Sequence, residues 1–149
     1  ASVAGEPDAG VTPLRAPGRY LYDLDPGVGR ASLVDAVAPV LHAWRLDEHT
    51  AYLSGDDPVD SPFARRFRIE TWVPFAERRL REALVALGVT RVEVMRRASP
   101  VDTNALEARL NRTLASTPSS GEHRVRTVAL TRLRGEHVAF VAERERGPR

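Results

Sequence analysis

Arginines are the residues of this chain best suited to binding chemistry, and they are concentrated in its middle. Between residues 65 and 97 there are nine arginines and four glutamates, whereas residues 1–60 hold four arginines and ten acidic residues. The chain contains no lysine, so all 22 of its Lys and Arg residues are arginines. A guanidinium group can donate two parallel hydrogen bonds to a phosphate and can stack on a nucleobase. We therefore predict that the middle of the chain contributes a surface for a polyanion.

Seven of these arginines are the candidate nucleic-acid contacts. They are Arg65, Arg66, Arg68, Arg78, Arg79, Arg96 and Arg97. The alternative is a solvated basic surface, in which the glutamates of the same segment neutralise about half of the charge. Trp72, Tyr20 and Tyr22 are of a type that can stack on bases, but packing within the domain explains them better.

The spacing of the other polar residues does not indicate a catalytic site or a metal site. The four histidines form neither an i,i+4 pair nor a His-x-His motif, and there is no cysteine to assist them. The acidic loop 56–60 lacks the spacing and the closing glutamate of an EF-hand. Asp23 and Asp25 share a strand face, but Asp25 is better explained as the cap of a following helix. We therefore predict no catalytic residue and no metal ion in this segment.

Cofactor binding and membrane insertion are not indicated either. Gly27 and Gly29 lack the third glycine and the downstream acidic residue of a dinucleotide-binding loop, so no cofactor is predicted in this segment. No apolar run approaches the roughly 20 residues that span a bilayer, and no signal peptide is visible. We expect a cytoplasmic protein without a membrane partner.

The hydrophobic pattern of the second half predicts an α+β fold with a β-α-β-α-β-β core. Strands are predicted at 66–73, 91–97, 124–133 and 137–143. Pro74 is predicted to open the first helix and Gly88 to end it, and Asp102 or Thr103 caps the second. The continuous apolar run at 138–142 is typical of a central strand.

These elements predict a mixed sheet with its helices on one side and an open face on the other. The first β-α-β crossover should be right-handed and should place its two strands side by side and parallel. Arg66 and Arg68 would then lie on one face, and Arg96 and Arg97 at the end of the adjacent strand. An open sheet face of this kind is a platform for a ligand.

A short strand-helix-strand unit is predicted ahead of this core. A strand at 19–22 leads to Asp25 and Pro26, which are the cap and first-turn residues of a helix. Pro39 should end or kink that helix near Ala38, and the apolar piece at 51–53 follows.

The length of 149 residues predicts one domain. Residues 1–17 are rich in proline and glycine and are predicted to be a flexible linker. The domain then covers 18–145, and residues 146–149 form a tail.

An ordered series of sequence motifs runs through most of the chain. It consists of PGRYLYDLDP at 17–26, RASLV at 30–34, AYLSGDDP at 51–58, SPFAR at 61–65, VPF at 73–75, RLR at 79–81 and VEVMRR at 92–97. Together these motifs resemble the THUMP-like domain found at the C-terminus of bacterial, notably actinobacterial, class I S-adenosylmethionine-dependent methyltransferases. The resemblance covers roughly residues 17–143.

The resemblance implies an RNA-associated accessory domain that follows a methyltransferase domain and is not catalytic by itself. It also implies kinship to THUMP modules, whose core resembles the C-terminal domain of the third bacterial translation initiation factor. The implied partners are RNA, either tRNA or rRNA, and the methyltransferase domain of the same polypeptide, which would bind S-adenosylmethionine. The alternative is a protein-interaction or dimerisation module, in which the acidic front of the chain meets the basic middle of another copy or docks on the methyltransferase domain.

Overall fold

The computed structural model of the chain describes residues 15–25, 31–47, 52–97, 99–118 and 121–146. Its elements, in chain order, are β1 (Tyr20–Leu24), α1 (Ala31–Leu41), β2 (Ala43–Arg45), β3 (Tyr52–Gly55), β4 (Ala64–Pro74), α2 (Glu77–Ala86), β5 (Arg91–Arg96), α3 (Thr103–Ala115), β6 (Val125–Leu133) and β7 (Glu136–Glu145). From β4 onward the order is β-α-β-α-β-β, so the predicted α+β class and its core are confirmed. The preceding unit contains one strand more than predicted, the three-residue β2.

The seven strands form one mixed sheet in the order β2-β3-β1-β4-β7-β6-β5. Strands β5 and β6 are parallel, and all other neighbours are antiparallel. Strands β4 and β5 are separated by β7 and β6, so the prediction that they are parallel neighbours is wrong. The apolar strand β7 takes the place beside β4 because its residues 138–142 can be buried on both faces.

The three helices of the described residues lie on one face of the sheet, as predicted. Leu80 and Leu84 of α2 and Leu106 and Leu110 of α3 pack on β-strand residues such as Val141. Helix α1 packs its buried side chains, Val34, Ala38 and Leu41, on Tyr20, Tyr22 and Leu24 of β1 and on Leu53 of β3. Tyr22 pairs with Arg66, and Arg66 pairs with Glu145, so the register places Tyr22 on the same face as Val141.

The face of the sheet opposite the helices is partly covered by a hydrophobic cluster. Leu21, Phe67 and Phe140 form a cluster on this face with Leu46 and Tyr52, which flank the end of β2 and the start of β3. The Asp47 carboxylate accepts a hydrogen bond of 2.7 Å from the Gly135 backbone N–H in the β6–β7 turn. The polypeptide after β2 therefore lies against the β6–β7 hairpin, and the prediction of a fully open sheet face is wrong.

Several element boundaries differ from their predicted positions. Pro39 lies inside α1, which continues to Leu41, because a proline in the last turn removes only one backbone hydrogen bond. Pro74 is the last residue of β4 rather than the start of a helix, and α2 begins at Glu77. The predicted first-turn residue Pro26 and the glycines 27 and 29 lie outside the described residues.

Two predicted helix signals are confirmed. The Asp102 side chain accepts a hydrogen bond of 3.1 Å from the Ala105 backbone N–H and caps α3. Gly88 follows α2 with a φ of 73°, which is the left-handed conformation that favours glycine at the end of a helix.

The outer edge of β5 is covered by side chains of α3. The Asn111 amide accepts a hydrogen bond of 2.8 Å from the Val92 N–H and donates one of 3.0 Å to the Val92 carbonyl. The Glu107 carboxylate accepts the Val94 N–H at 2.8 Å. These contacts occupy backbone groups that a further strand would otherwise pair with.

Residues at the start of the described chain lie against β2. The Arg15 N–H donates to the Arg45 carbonyl at 3.0 Å, and the Trp44 indole donates to the Ala16 carbonyl at 2.8 Å. Most of the predicted linker, 1–14, lies outside the described residues, so its boundary at residue 17 stays a prediction.

Candidate nucleic-acid interface

Arg66 and Arg68 are neutralised by carboxylates on the helical face of the sheet. Arg66 contacts Glu145 at 2.9 Å and Asp60 at 2.7 Å. Arg68 contacts Glu143 and Glu70. Arg126 of β6 joins the same group, because it contacts Glu70 at 2.8 Å and Glu143 at 3.7 Å. We call this group of three arginines and four carboxylates, Arg66, Arg68, Arg126, Asp60, Glu70, Glu143 and Glu145, the charge ladder.

The pKa values of three members of the charge ladder are shifted toward the charged form. Hydrogen bonding by Arg68 holds the pKa of Glu143 below its ordinary value, despite partial burial. The same bond raises the pKa of Arg68. Burial opposes the charge of Arg66, but its bonds to Glu145 and Asp60 outweigh that effect and raise its pKa. A phosphate would have to displace these carboxylates, so the ladder is a poor place for RNA to bind.

Arg65 and Arg97 share one buried carboxylate on the sheet face opposite the helices. Asp23 of β1 is 4% exposed and pairs with Arg65, its neighbour in the β1–β4 register. Arg97 donates to the same carboxylate from Nε and Nη2, at 3.2 and 3.1 Å, and from Nη2 to the Leu24 carbonyl at 3.2 Å. Two guanidinium groups on one carboxylate leave a local charge of +1. Their side chains are 43% and 33% exposed, so both retain donors for a ligand.

The other three predicted arginines lie elsewhere. Arg78 and Arg79 are exposed on α2, where Arg78 contacts Glu82 at 3.4 Å. Arg96 donates from Nη1 to the carbonyls of Ser99 and Val101. The seven predicted arginines are therefore divided among the ladder, the Asp23 pair, the outer face of α2 and the loop after β5, and they do not form one patch.

Two cavities meet at Arg65 and Arg144. One has a volume of about 220 Å³ and is also lined by Ser61 and Arg146. The other has a volume of about 300 Å³, lies toward β5 and is also lined by Arg91. Arg144 reaches this place because β7 pairs with β4 in the register that sets Arg144 opposite Phe67.

We call Arg65, Arg91, Arg144 and Arg146 the arginine rim. Arg91, Arg144 and Arg146 are exposed and form no ion pair with any other described residue. Arg144 and Arg146 were not among the predicted residues, since they lie at the far end of the chain from Arg65 in the core sequence. The signal that could have found them is the Arg-Glu-Arg alternation at the end of the last strand.

Metal ligation and membrane insertion have no counterpart in the part of the chain that the structure describes. Within it, no group of three or more His, Cys, Asp or Glu residues could hold a metal ion. No helix there has both the length and the apolar character needed to cross a bilayer.

The segment that builds the arginine rim also carries a family signature. A family model described as THUMP domain-like matches residues 64–144, from the first residue of β4 to the penultimate residue of β7. The chain belongs to the THUMP domain-like family. The matched segment of this THUMP-like domain includes three of the four rim arginines, Arg65, Arg91 and Arg144.

Relatives of this THUMP-like domain are methyltransferases by name. Over 103 residues, 69% of the chain, it is 40% identical to an uncharacterised S-adenosylmethionine-dependent methyltransferase of Mycobacterium tuberculosis strain CDC 1551 / Oshkosh, and equally to one of strain ATCC 25618 / H37Rv. The match spans 27% of the length of each mycobacterial protein.

A solved structure shares the fold. The crystal structure of a putative methyltransferase from Porphyromonas gingivalis W83 superposes with a TM-score of 0.66 at 20% sequence identity. The superposition covers 91% of this chain and 32% of that protein.

Proposed function

We propose that this chain is an RNA-binding accessory domain of an S-adenosylmethionine-dependent methyltransferase and has no catalytic residue of its own. The observation that carries the proposal is the arginine rim, where three arginines without a described carboxylate partner line two cavities that share Arg65 and Arg144. The names of the mycobacterial relatives support the methyltransferase part. S-adenosylmethionine would bind in the part of those proteins that this chain does not cover, and tRNA or rRNA in the cytoplasm would be the substrate.

The rim suits RNA better than the arginines of the charge ladder do, because Arg91, Arg144 and Arg146 have no carboxylate partner among the described residues. Each phosphate that binds an arginine releases condensed counterions, and this release drives association. Arg91, Arg144 and Arg146 can bind phosphate without breaking an ion pair to a described residue. Arg65 keeps its Asp23 contact and can still donate from the exposed part of its guanidinium group.

The test is to remove the three rim arginines that lack an ion pair. In the triple variant Arg91→Gln, Arg144→Gln, Arg146→Gln, we expect the affinity for a labelled RNA hairpin to fall roughly tenfold at low salt. The slope of log K against log salt concentration should become shallower by about 2, because about 0.7 to 0.9 counterion is released per phosphate contact. Fluorescence anisotropy at about 50 to 200 mM salt measures both quantities.

A matched control removes the same charge elsewhere. Arg79, Arg112 and Arg134 are also exposed and form no ion pair with a described residue, and none of them lines either cavity. The triple variant Arg79→Gln, Arg112→Gln, Arg134→Gln should keep most of the affinity. Equal losses in the two variants would mean that only net charge matters, and the rim would not be the interface.

The alternative function is a protein-interaction or dimerisation module that docks on the methyltransferase domain. Asp23 and Asp60, from the acidic front of the chain, contact Arg65, Arg97 and Arg66 of the same molecule. These contacts use part of the charge complementarity within one chain, which favours RNA binding over dimerisation through the same charges.

A further inference from the structure

One carboxylate in the cavity of about 300 Å³ has no partner among the described residues, although three arginines line the same cavity. Glu93 of β5 is exposed and forms no ion pair or hydrogen bond with another described residue. Arg65, Arg91 and Arg144 line the cavity with it, so three cations and this carboxylate face one volume of about 300 Å³. A ligand that fits must satisfy positive and negative groups together.

A second polar group beside Glu93 is also available. Thr127 of β6 is the direct neighbour of Glu93 in the parallel β5–β6 register, and it lines the same cavity. Thr127 is only 7% exposed, and its hydroxyl group has no hydrogen-bond partner among the described residues. A buried hydroxyl that opens only to a cavity is normally satisfied by water or by a ligand.

Among the described residues that line the cavity, Glu93 is the only one whose carboxylate forms no hydrogen bond or ion pair. Glu107 also lines the cavity, but one of its oxygens accepts the Val94 N–H. Phe67 and Met95 supply an apolar floor. The cavity therefore offers an apolar floor, one free carboxylate, a hydroxyl group and guanidinium donors.

The chemical groups that line the cavity determine which class of ligand it can bind. An ionised carboxylate only accepts hydrogen bonds, so it must face a group with N–H or O–H donors. Among the four RNA bases, guanine alone presents two adjacent N–H donors on its Watson–Crick edge, N1–H and the 2-amino group, and these match the two oxygens of one carboxylate. Adenine, cytosine and uracil place an acceptor beside their donor. That acceptor would face the second carboxylate oxygen, and two acceptors repel each other. The guanidinium groups suit a phosphate.

We infer that this cavity is a guanine-nucleotide subsite, in which Glu93 accepts N1–H and the 2-amino group while Arg91 and Arg144 bind phosphate. The Thr127 hydroxyl supplies a further contact to the base or the ribose. The inference rests on the proposed RNA-binding function where the guanine belongs to RNA. A free guanine nucleotide has the same chemistry, and the experiment separates the two sources.

The test measures base discrimination by the 149-residue chain. The probes are short labelled uridine-rich RNAs with one central guanine, inosine or adenine, and free GMP, IMP and AMP in separate titrations. Inosine lacks only the 2-amino group, so losing one hydrogen bond to a charged acceptor should weaken binding about tenfold. In Glu93→Gln the discrimination between guanine and inosine should fall below about twofold, because an amide presents one donor and one acceptor.

The control is Glu136→Gln, which removes the same charge from the exposed start of β7. Glu136 pairs with Leu133, which is six residues from Thr127 along β6. The control variant should keep the full discrimination, and far-UV circular dichroism and thermal melting verify that both variants fold.

Equal binding of guanine, inosine and adenine in both formats overturns the guanine subsite, whether or not RNA binds. Discrimination that survives Glu93→Gln also overturns it. Discrimination by free GMP alone, lost in Glu93→Gln, supports the subsite and contradicts the RNA-binding function instead.

Discussion

At the scale of single residues, the availability of an arginine for an anionic ligand depends on the carboxylates that it already contacts. Arg66 and Arg144 have the same side chain, and both line the cavity of about 220 Å³. Arg66 contacts two carboxylates, whereas Arg144 contacts none among the described residues. A count of arginines along the sequence cannot separate these cases, because the carboxylates that decide them come from distant segments.

Asp23 is the residue whose replacement tests this dependence most directly. We expect Asp23→Asn to lower the free energy of unfolding by about 1–3 kcal/mol, because it leaves Arg65 and Arg97 without their shared buried charge. This loss of stability is smaller than for a fully buried ion pair, because the two guanidinium side chains are 43% and 33% exposed and solvent screens their charge. Urea denaturation followed by tryptophan fluorescence measures the change.

Asp25→Asn is the matched control, since Asp25 lies two residues away and is exposed. It should change the free energy of unfolding by less than about 0.5 kcal/mol. Similar losses in both variants would show that the Asp23 pair contributes nothing specific.

At the scale of elements, hydrophobic periodicity predicted most helices and strands but not which strands are neighbours in the sheet. The alternation in β4 and the leucine spacing in α3 are local, and both elements formed as predicted. Strand β2 was not predicted, because three residues show no period and form a strand only beside β3. The prediction that Pro74 opens a helix was wrong, because a proline suits both the first turn of a helix and the end of a strand.

The edge of β5 gives a prediction at this scale. We expect Asn111→Ala to cost about 1–2 kcal/mol of stability, because it leaves the N–H and C=O of Val92 without their partner. The uncovered edge should also promote self-association by strand pairing. Thermal melting and sedimentation velocity over a range of concentrations measure the two effects.

Asn104→Ala serves as the control, because Asn104 is an exposed asparagine in the first turns of the same helix. Unchanged melting and sedimentation in Asn111→Ala, relative to Asn104→Ala, would refute the idea that this side chain protects the edge.

At the scale of the whole molecule, ion pairs join elements that are far apart in sequence. Arg109 of α3 holds Glu77 of α2 through bonds of 3.0 to 3.2 Å, and the charge ladder joins β4, β6 and β7. Hydrogen bonding by Arg109 holds the pKa of Glu77 below its ordinary value of 4.5, as Arg68 does for Glu143.

These shifts predict how stability depends on pH. A carboxylate with a lowered pKa in the folded state stabilises the fold above its unfolded pKa, and this contribution is lost as the pH falls through the folded value. We therefore expect the urea midpoint to fall as the pH decreases below about 4.5. In the double variant Glu77→Gln, Glu143→Gln the decrease should be smaller, and the midpoint near pH 7 should be lower than in the wild type.

Glu136→Gln is the control for this series, since Glu136 is exposed and has no described partner. Its midpoint should follow the wild-type curve. A double variant that shows the wild-type decrease in full would exclude Glu77 and Glu143 as its source.

Local sequence was enough to establish the element order from β4 onward, the helix cap at Asp102, the central position of residues 138–142 and a concentration of arginine. These properties depend on neighbouring residues and on the burial of apolar side chains, which a linear pattern records. The strand order, the covering of the sheet face opposite the helices and the separation of paired from unpaired arginines were decided only by the tertiary structure. Arg68 and Glu143 are 75 residues apart, and Arg97 and Asp23 are 74 apart. Ion pairing acts over a few ångströms in space, so the electrostatic state of each arginine depends on contacts that sequence spacing does not record.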